Sequence, residues 1–196
     1  MGQYYYLGAQ LPYLLYEQSP PISSMHFLEL ATEHMRASEA ALLSLCTLDP
    51  DPDEGADAEK KAVNCGSLLI KRWKEWEMAL RLNLARNRAI KLKRESVPEA
   101  PEFPAEAVLA AKSALTIESP LEAELFLDKA RWDAIDALQG NNIFSDSAMY
   151  AYLLKLLLME KRVKFNTDIG FREYKALYDA ILTNTRTNTG EENDRN

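Results

Sequence analysis

Apolar positions in this chain recur at three- and four-residue spacings, so the pattern predicts a protein built from helices. Residues 1–22 are aromatic and then punctuated by Pro12, Pro20 and Pro21, which fits either a short helix or an extended segment lying on the core. Ser23 or Ser24 can cap a helix carrying Phe27, Leu28, Ala31 and Met35. Ser38 can cap a short helix through Leu45, with Glu39 in its first turn. The stretch DPDPDEGAD (residues 49–57) breaks structure and reads as a solvated loop. A long helix is expected from residue 57 or 58 to about residue 96, where Pro98 ends it, with a bend at residues 64–66. The looser stretch VPEAPEFP (residues 97–104) then separates two helical parts.

Beyond that linker the pattern predicts further helices. One follows Pro104, one opens at Ser119-Pro120 and closes at Gly140, and one runs from Ser145 or Ser147 to about Phe165. A last helix near Thr167 or Asp168 carries Phe171, Tyr174, Leu177 and Ile181. From Thr183 the composition is polar and low in complexity, as in a disordered tail. The expected architecture is an all-α, multi-helix bundle with one long helix connecting N- and C-terminal helical parts. Its divisions are residues 1–96, a linker at 97–104, residues 105–182 and a tail at 183–196.

On a helical wheel the segment KRWKEWEMALRLNLARNRAIKLKR (residues 71–94) separates into two apolar stripes on opposite faces. The first is Leu69, Trp73, Trp76 and Leu80, turning polar at Asn83 and Asn87. The second is Met78, Leu82, Ala85, Ala89 and Leu92. Each spacing suits a seam against another helix. Arg72, Arg86 and Lys93 lie on one flank between the stripes, and Lys74, Arg81 and Arg88 on the other.

Charge sharpens this segment. It holds nine Lys or Arg against two Glu, in a chain whose net charge is −7 and whose pI is about 5.0. Solvated flanks of a bundle account for such a pattern, and docking to an acidic protein is the functional alternative. Nucleic acid and anionic lipid fit poorly, because two apolar stripes leave no uniformly basic face. The candidates for a partner interface are Trp73 or Trp76, if exposed, with Arg81, Arg86 and Arg88.

Candidate chemistry changes the picture little. The sequence has no phosphate-binding loop, dinucleotide fingerprint or nucleophile elbow, so no enzyme and no cofactor is expected. His26 and His34 stand eight positions apart beside Glu29 and Glu33, without the paired spacing of a carboxylate metal site. Cys46 and Cys65 fit no ligand pattern and read as reduced thiols. Asp128 interrupts the stripe Leu121, Leu125, Trp132, Ile135, and if buried it needs a cationic or hydrogen-bonding partner. The apolar run AYLLKLLLM (residues 151–159) is too short to span a bilayer, and the N-terminus lacks a signal peptide's basic start. A cytoplasmic location without membrane insertion is therefore expected.

Three segments carry a family resemblance. YYYLGAQLPYL with PPISSMHFLEL, and CGSLLIKRWKEWEMALRLNLARNRAIKLKR, together resemble a bacterial family encoded with V-type (A/V-type) rotary ATPase subunits. EAELFLDKARWDAI with MYAYLLKLLLMEKRVKFNTDIGFREY is similar to a helical repeat of the C/d central-stalk subunit, a non-catalytic socket for the rotor. The chain is much shorter than the usual three-part subunit. The resemblance implies a non-catalytic subunit or an accessory or assembly factor of that ATPase, peripheral to the membrane, with ATPase subunits as partners. A free-standing adaptor for an acidic protein is the alternative.

Overall fold

Capping chemistry sets most helix boundaries in the computed structural model, which describes residues 4–48 and 66–164. Among the described residues there are seven α-helices and one 3-10 turn, and no strand. Helix α1 (Tyr5–Gln10) settles the opening segment as a short helix followed by irregular chain. Helix α2 (Ser24–His34) starts at Ser23, whose hydroxyl accepts from the His26 N–H at 3.1 Å. Helix α3 (Ala37–Ala40) runs into the 3-10 turn Ala41–Leu45. Helix α4 (Leu68–Lys91) is capped by Ser67, which accepts from Ile70 N–H. Helix α5 (Ala105–Ala114) follows the linker. Helix α6 (Pro120–Gln139) has Ser119 as its cap and ends at Gly140, whose φ of 71° suits a residue without a Cβ. Helix α7 (Asp146–Lys164) has Ser145 accepting from Ala148 N–H.

Two boundaries differ from the sequence pattern, each for a local reason. Helix α4 begins at Leu68 because Gly66 bends and Ser67 caps. The expected start at residue 57 or 58, the acidic stretch at 49–57 and Cys65 lie outside the described residues, as do the expected final helix and tail. At its other end α4 stops before Pro98 through a Schellman motif rather than through the proline. Lys93 takes a left-handed φ of 51°, its N–H bonds Ile90 O at 3.1 Å, and Arg94 N–H bonds Ala89 O at 3.0 Å. Ser38 is likewise not a cap. Met35 N–H closes α2 on Ala31 O, and the chain restarts at once, with Glu39 and Ala40 N–H bonding Arg36 O.

The chain divides into two compact units, Met1–Glu160 and Lys161–Asn196, and the first contains the core described here. Its centre is the apolar run at residues 151–159. Tyr150, Ala151, Leu153, Leu154, Leu156, Leu158 and Met159 are all buried, so α7 is covered on every side in this stretch. Helices α4, α5 and α6 pack on one another, and the small side chains of Ala107, Ala110, Ala111 and Ala114 let α5 approach closely. Of the expected α2 stripe, Phe27, Ala31 and Met35 are buried, whereas Leu28 sits on the flank and is exposed.

Tyrosine hydroxyls fasten chain segments far apart in sequence. Tyr16 donates to Leu125 O at 3.0 Å, Tyr150 to Glu39 O at 3.0 Å and Tyr152 to Pro12 O at 2.9 Å. The Glu160 carboxylate accepts from both the N–H and the hydroxyl of Ser24, at 2.6 and 2.8 Å. It thereby places a negative charge at the positive end of α2.

The left-handed Lys93 yields a stability prediction. A non-glycine residue there carries a conformational penalty of about 1 kcal/mol. Lys93→Gly should therefore be more stable than Lys93→Ala by about 1 kcal/mol in urea denaturation. Equal stability of the two variants would show that the turn does not hold this backbone geometry in solution.

Candidate functional site

The polar residue singled out by pattern, Asp128, is fully buried, and its cationic partner is one turn away on the same helix. Arg131 Nη1 donates to Asp128 Oδ1 at 2.9 Å. The same guanidinium reaches across to α4, where Nε bonds Glu77 Oε2 at 3.2 Å and Nη2 bonds Glu77 Oε1 at 3.1 Å. That two-pronged contact is the strong geometry for arginine and a carboxylate. Arg81 Nε adds a bond to Glu77 Oε1 at 3.0 Å, and its Nη2 bonds Leu48 O. Two carboxylates and two guanidiniums thus neutralise one another across α4 and α6. Burial alone would lower the Arg131 pKa, but the Glu77 and Asp128 carboxylates outweigh it and raise the value above the ordinary one.

Glu77 and Arg131 were not singled out from sequence. Glu77 falls at the same 4-3-4 phase as Trp73, Leu80 and Leu84, all buried. A charged residue in that phase signals a buried partner. Its match, Arg131, is visible only as the residue three after Asp128.

The interface candidates divide. Trp73 and Trp76 are core residues: their rings stack at 5.8 Å with an interplanar angle of 10°, and Trp73 Nε1 points to Thr47 O at 3.4 Å. They are therefore not available as exposed contacts. Arg81 is half-buried and committed to Glu77 and Leu48. Arg86 and Arg88 are exposed. The first apolar stripe faces inward as expected, and its polar continuation has a purpose, since buried Asn83 donates to Ala79 O and to Pro101 O, at 2.9 and 2.8 Å, pinning the linker.

The second stripe departs from expectation. Met78, Ala85 and Leu92 are exposed, Leu82 is half-buried, and only Ala89 is buried. Helices α5 and α6 both settle on the broad face that contains Trp73, Trp76, Ala79 and Leu80, which leaves the opposite face outward. One basic flank is drawn inward as well: Lys74 Nζ bonds Thr47 Oγ1 at 2.7 Å.

Two concavities complete the inventory. One, of about 380 Å³, lies beneath residues 11–16 and is lined by Trp132, Met149 and Tyr152. At its edge Lys155 bonds Asp136 and Gln139 and lies 5.3 Å from the Trp132 ring centre. Burial pushes the Tyr152 phenol up to about 12. The other, of about 570 Å³, lies between α4 and α6. His26 is exposed 3.5 Å from Glu29, His34 meets the Tyr6 ring edge-on at 5.0 Å, and Cys46 is buried with Sγ 3.9 Å from Leu42 O. These placements give packing and hydrogen-bonding roles, with no pair of groups set for proton transfer.

Two outcomes follow from the buried groups. Arg131→Ala leaves Glu77 and Asp128 without their shared cation and should lower unfolding free energy by about 3–5 kcal/mol. Replacing Glu77, Asp128 and Arg131 together by Leu, Leu and Met should recover most of that loss, and a single-variant loss below about 1 kcal/mol would contradict the burial described. For Tyr152 the folded-state pKa of about 12 lies above the unfolded value of about 10. Its contribution is complete below about pH 10 and is lost as pH rises towards about 12. The stability advantage of the wild type over Tyr152→Phe should therefore shrink across that window and stay constant from about pH 6 to 9.

Comparison with known proteins identifies no relative: no family model, no curated protein and no solved structure matches the chain.

Proposed function

We propose that this chain is a non-catalytic helical connector, in which α4 joins the N- and C-terminal helical parts and presents its outward face to an acidic protein partner. The observation that carries this reading is the exposed stripe Met78, Ala85 and Leu92, bordered by exposed Arg86 and Arg88. The opposite side of the same helix is tied to α6 through Glu77 and Arg131. A helix held on one side and apolar with basic borders on the other is suited to a partner helix carrying acidic borders. In a chain of net charge −7, this concentration of positive charge favours an acidic partner over nucleic acid.

The resemblance of the Tyr-rich opening and the Leu-Arg-rich helix to the rotary-ATPase-associated family supports one setting for that partner. In it the chain is a subunit or assembly factor of a V/A-type ATPase, cytoplasmic and peripheral to the membrane, acting through interfaces rather than an active site.

The test is retention of the protein on purified V-type ATPase from the native source. Arg86→Glu/Arg88→Glu should lower retention about tenfold or more, and rising ionic strength should weaken wild-type binding. Unchanged retention of the double variant, at unchanged thermal stability, would remove the basic face from the account. An ATPase that never retains the wild-type protein would remove the rotary-ATPase setting.

A further inference from the structure

The groove of about 570 Å³ between α4 and α6 has an apolar floor of Trp76, Ala134, Ala137 and Leu138. Its short alanine side chains leave room for an inserted aliphatic group. The border is mainly acidic: Glu75, Glu106 and Asp133 are exposed, against Arg72, while Lys129 holds Asp133 at 2.5 Å.

The same chain carries a shape and charge that fit this groove. At the C-terminal end of α4, Ile90 is 54 % exposed and Leu92 is 64 % exposed. Around them Arg88, Lys93 and Arg94 are exposed as well. The turn at Lys93 reverses the chain here, so the two aliphatic side chains stand at a convex corner with cations on each side. Covering Ile90 and Leu92 removes apolar surface from water, and the surrounding cations gain carboxylate neighbours.

These two features cannot meet within one molecule. Trp76 and Leu92 both belong to or border one continuous helix, and at ~1.5 Å per residue they are separated by ~24 Å along its axis. Any contact between them is therefore made between molecules. The net charge of −7 opposes approach of two copies at long range, but beyond about 8 Å it is screened at physiological ionic strength, so local complementarity decides.

We infer that a second copy of this chain is an acidic partner of α4, its groove receiving Ile90 and Leu92 while Glu75 and Glu106 face Arg88 and Lys93. This rests on the reading of α4 as a basic-bordered docking helix, and names one occupant for it.

The experiment is sedimentation velocity on the full chain, up to about 1 mM, with two double variants at exposed positions. Glu75→Lys/Glu106→Lys alters the groove, and Leu92→Asp/Lys93→Glu alters the corner. The wild type should self-associate reversibly and less tightly as salt is raised. Each variant alone should weaken association about tenfold or more, and an equimolar mixture should re-associate, because one variant supplies an intact groove and the other an intact corner. Circular dichroism melts of both variants at the wild-type temperature confirm that folding is preserved. A wild type that stays monomeric, variants that associate like the wild type, or a mixture that stays monomeric would each overturn the inference. The groove variant leaves Arg86 and Arg88 in place, so it should keep wild-type retention on the ATPase. Failure of self-docking is thereby separable from failure of the proposed function.

Discussion

The two-pronged contact between Arg131 and Glu77 is the constraint on which the rest of the arrangement depends. It joins α4 to α6 at a point where both helices are buried, and it also neutralises Asp128. A buried ion pair contributes little net stability compared with a well-packed apolar replacement. Its effect is on register. Sliding α4 by one turn past α6 would strand Glu77 or Arg131 without a counter-charge, at about 3–5 kcal/mol, whereas the surrounding Leu and Ala contacts would be degraded far less. Apolar packing supplies the cohesion, and the ion pair selects one alignment.

That alignment determines which sides of α4 are available. With Glu77 pointing to α6, the stacked Trp73 and Trp76 face the core and Asn83 reaches the linker carbonyl of Pro101. Arg81 bonds both Glu77 and Leu48 O, so the network also reaches the end of the first described segment. What remains outward is Met78, Ala85, Arg86, Arg88 and Leu92. The surface proposed to bind a partner is thus a consequence of how the charges inside are satisfied. Two observations in the fold reinforce it: the tyrosine hydroxyls fasten the N-terminal segment to α6 and α7, and α7 is covered on all sides.

Much of this was legible in the sequence. Helix starts at Ser23 and Ser119, the stop at Gly140 and the inward stripe through Trp73 and Leu80 follow from capping chemistry and period. Asp128 was recognised as requiring a partner because a carboxylate cannot be buried alone. The end of α4 was misplaced because a Lys can adopt the left-handed conformation of a Schellman turn, and residue type gives no sign of it. The role of the two tryptophans and the exposure of the second stripe were not decided by periodicity. An amphipathic pattern shows that a face is apolar but not whether a neighbour covers it, and here α5 and α6 share one side. Glu77 and Arg131 stand fifty-four positions apart, so their pairing is a tertiary fact.

The most direct test of the central claim is a double-mutant cycle on Glu77 and Arg131 by urea denaturation, using Glu77→Gln, Arg131→Met and the double variant. If the contact locks α4 to α6 as described, the coupling energy should reach about 2–3 kcal/mol. A coupling energy below about 0.5 kcal/mol, with both single variants folded, would show that the two side chains act independently and that packing alone sets the register.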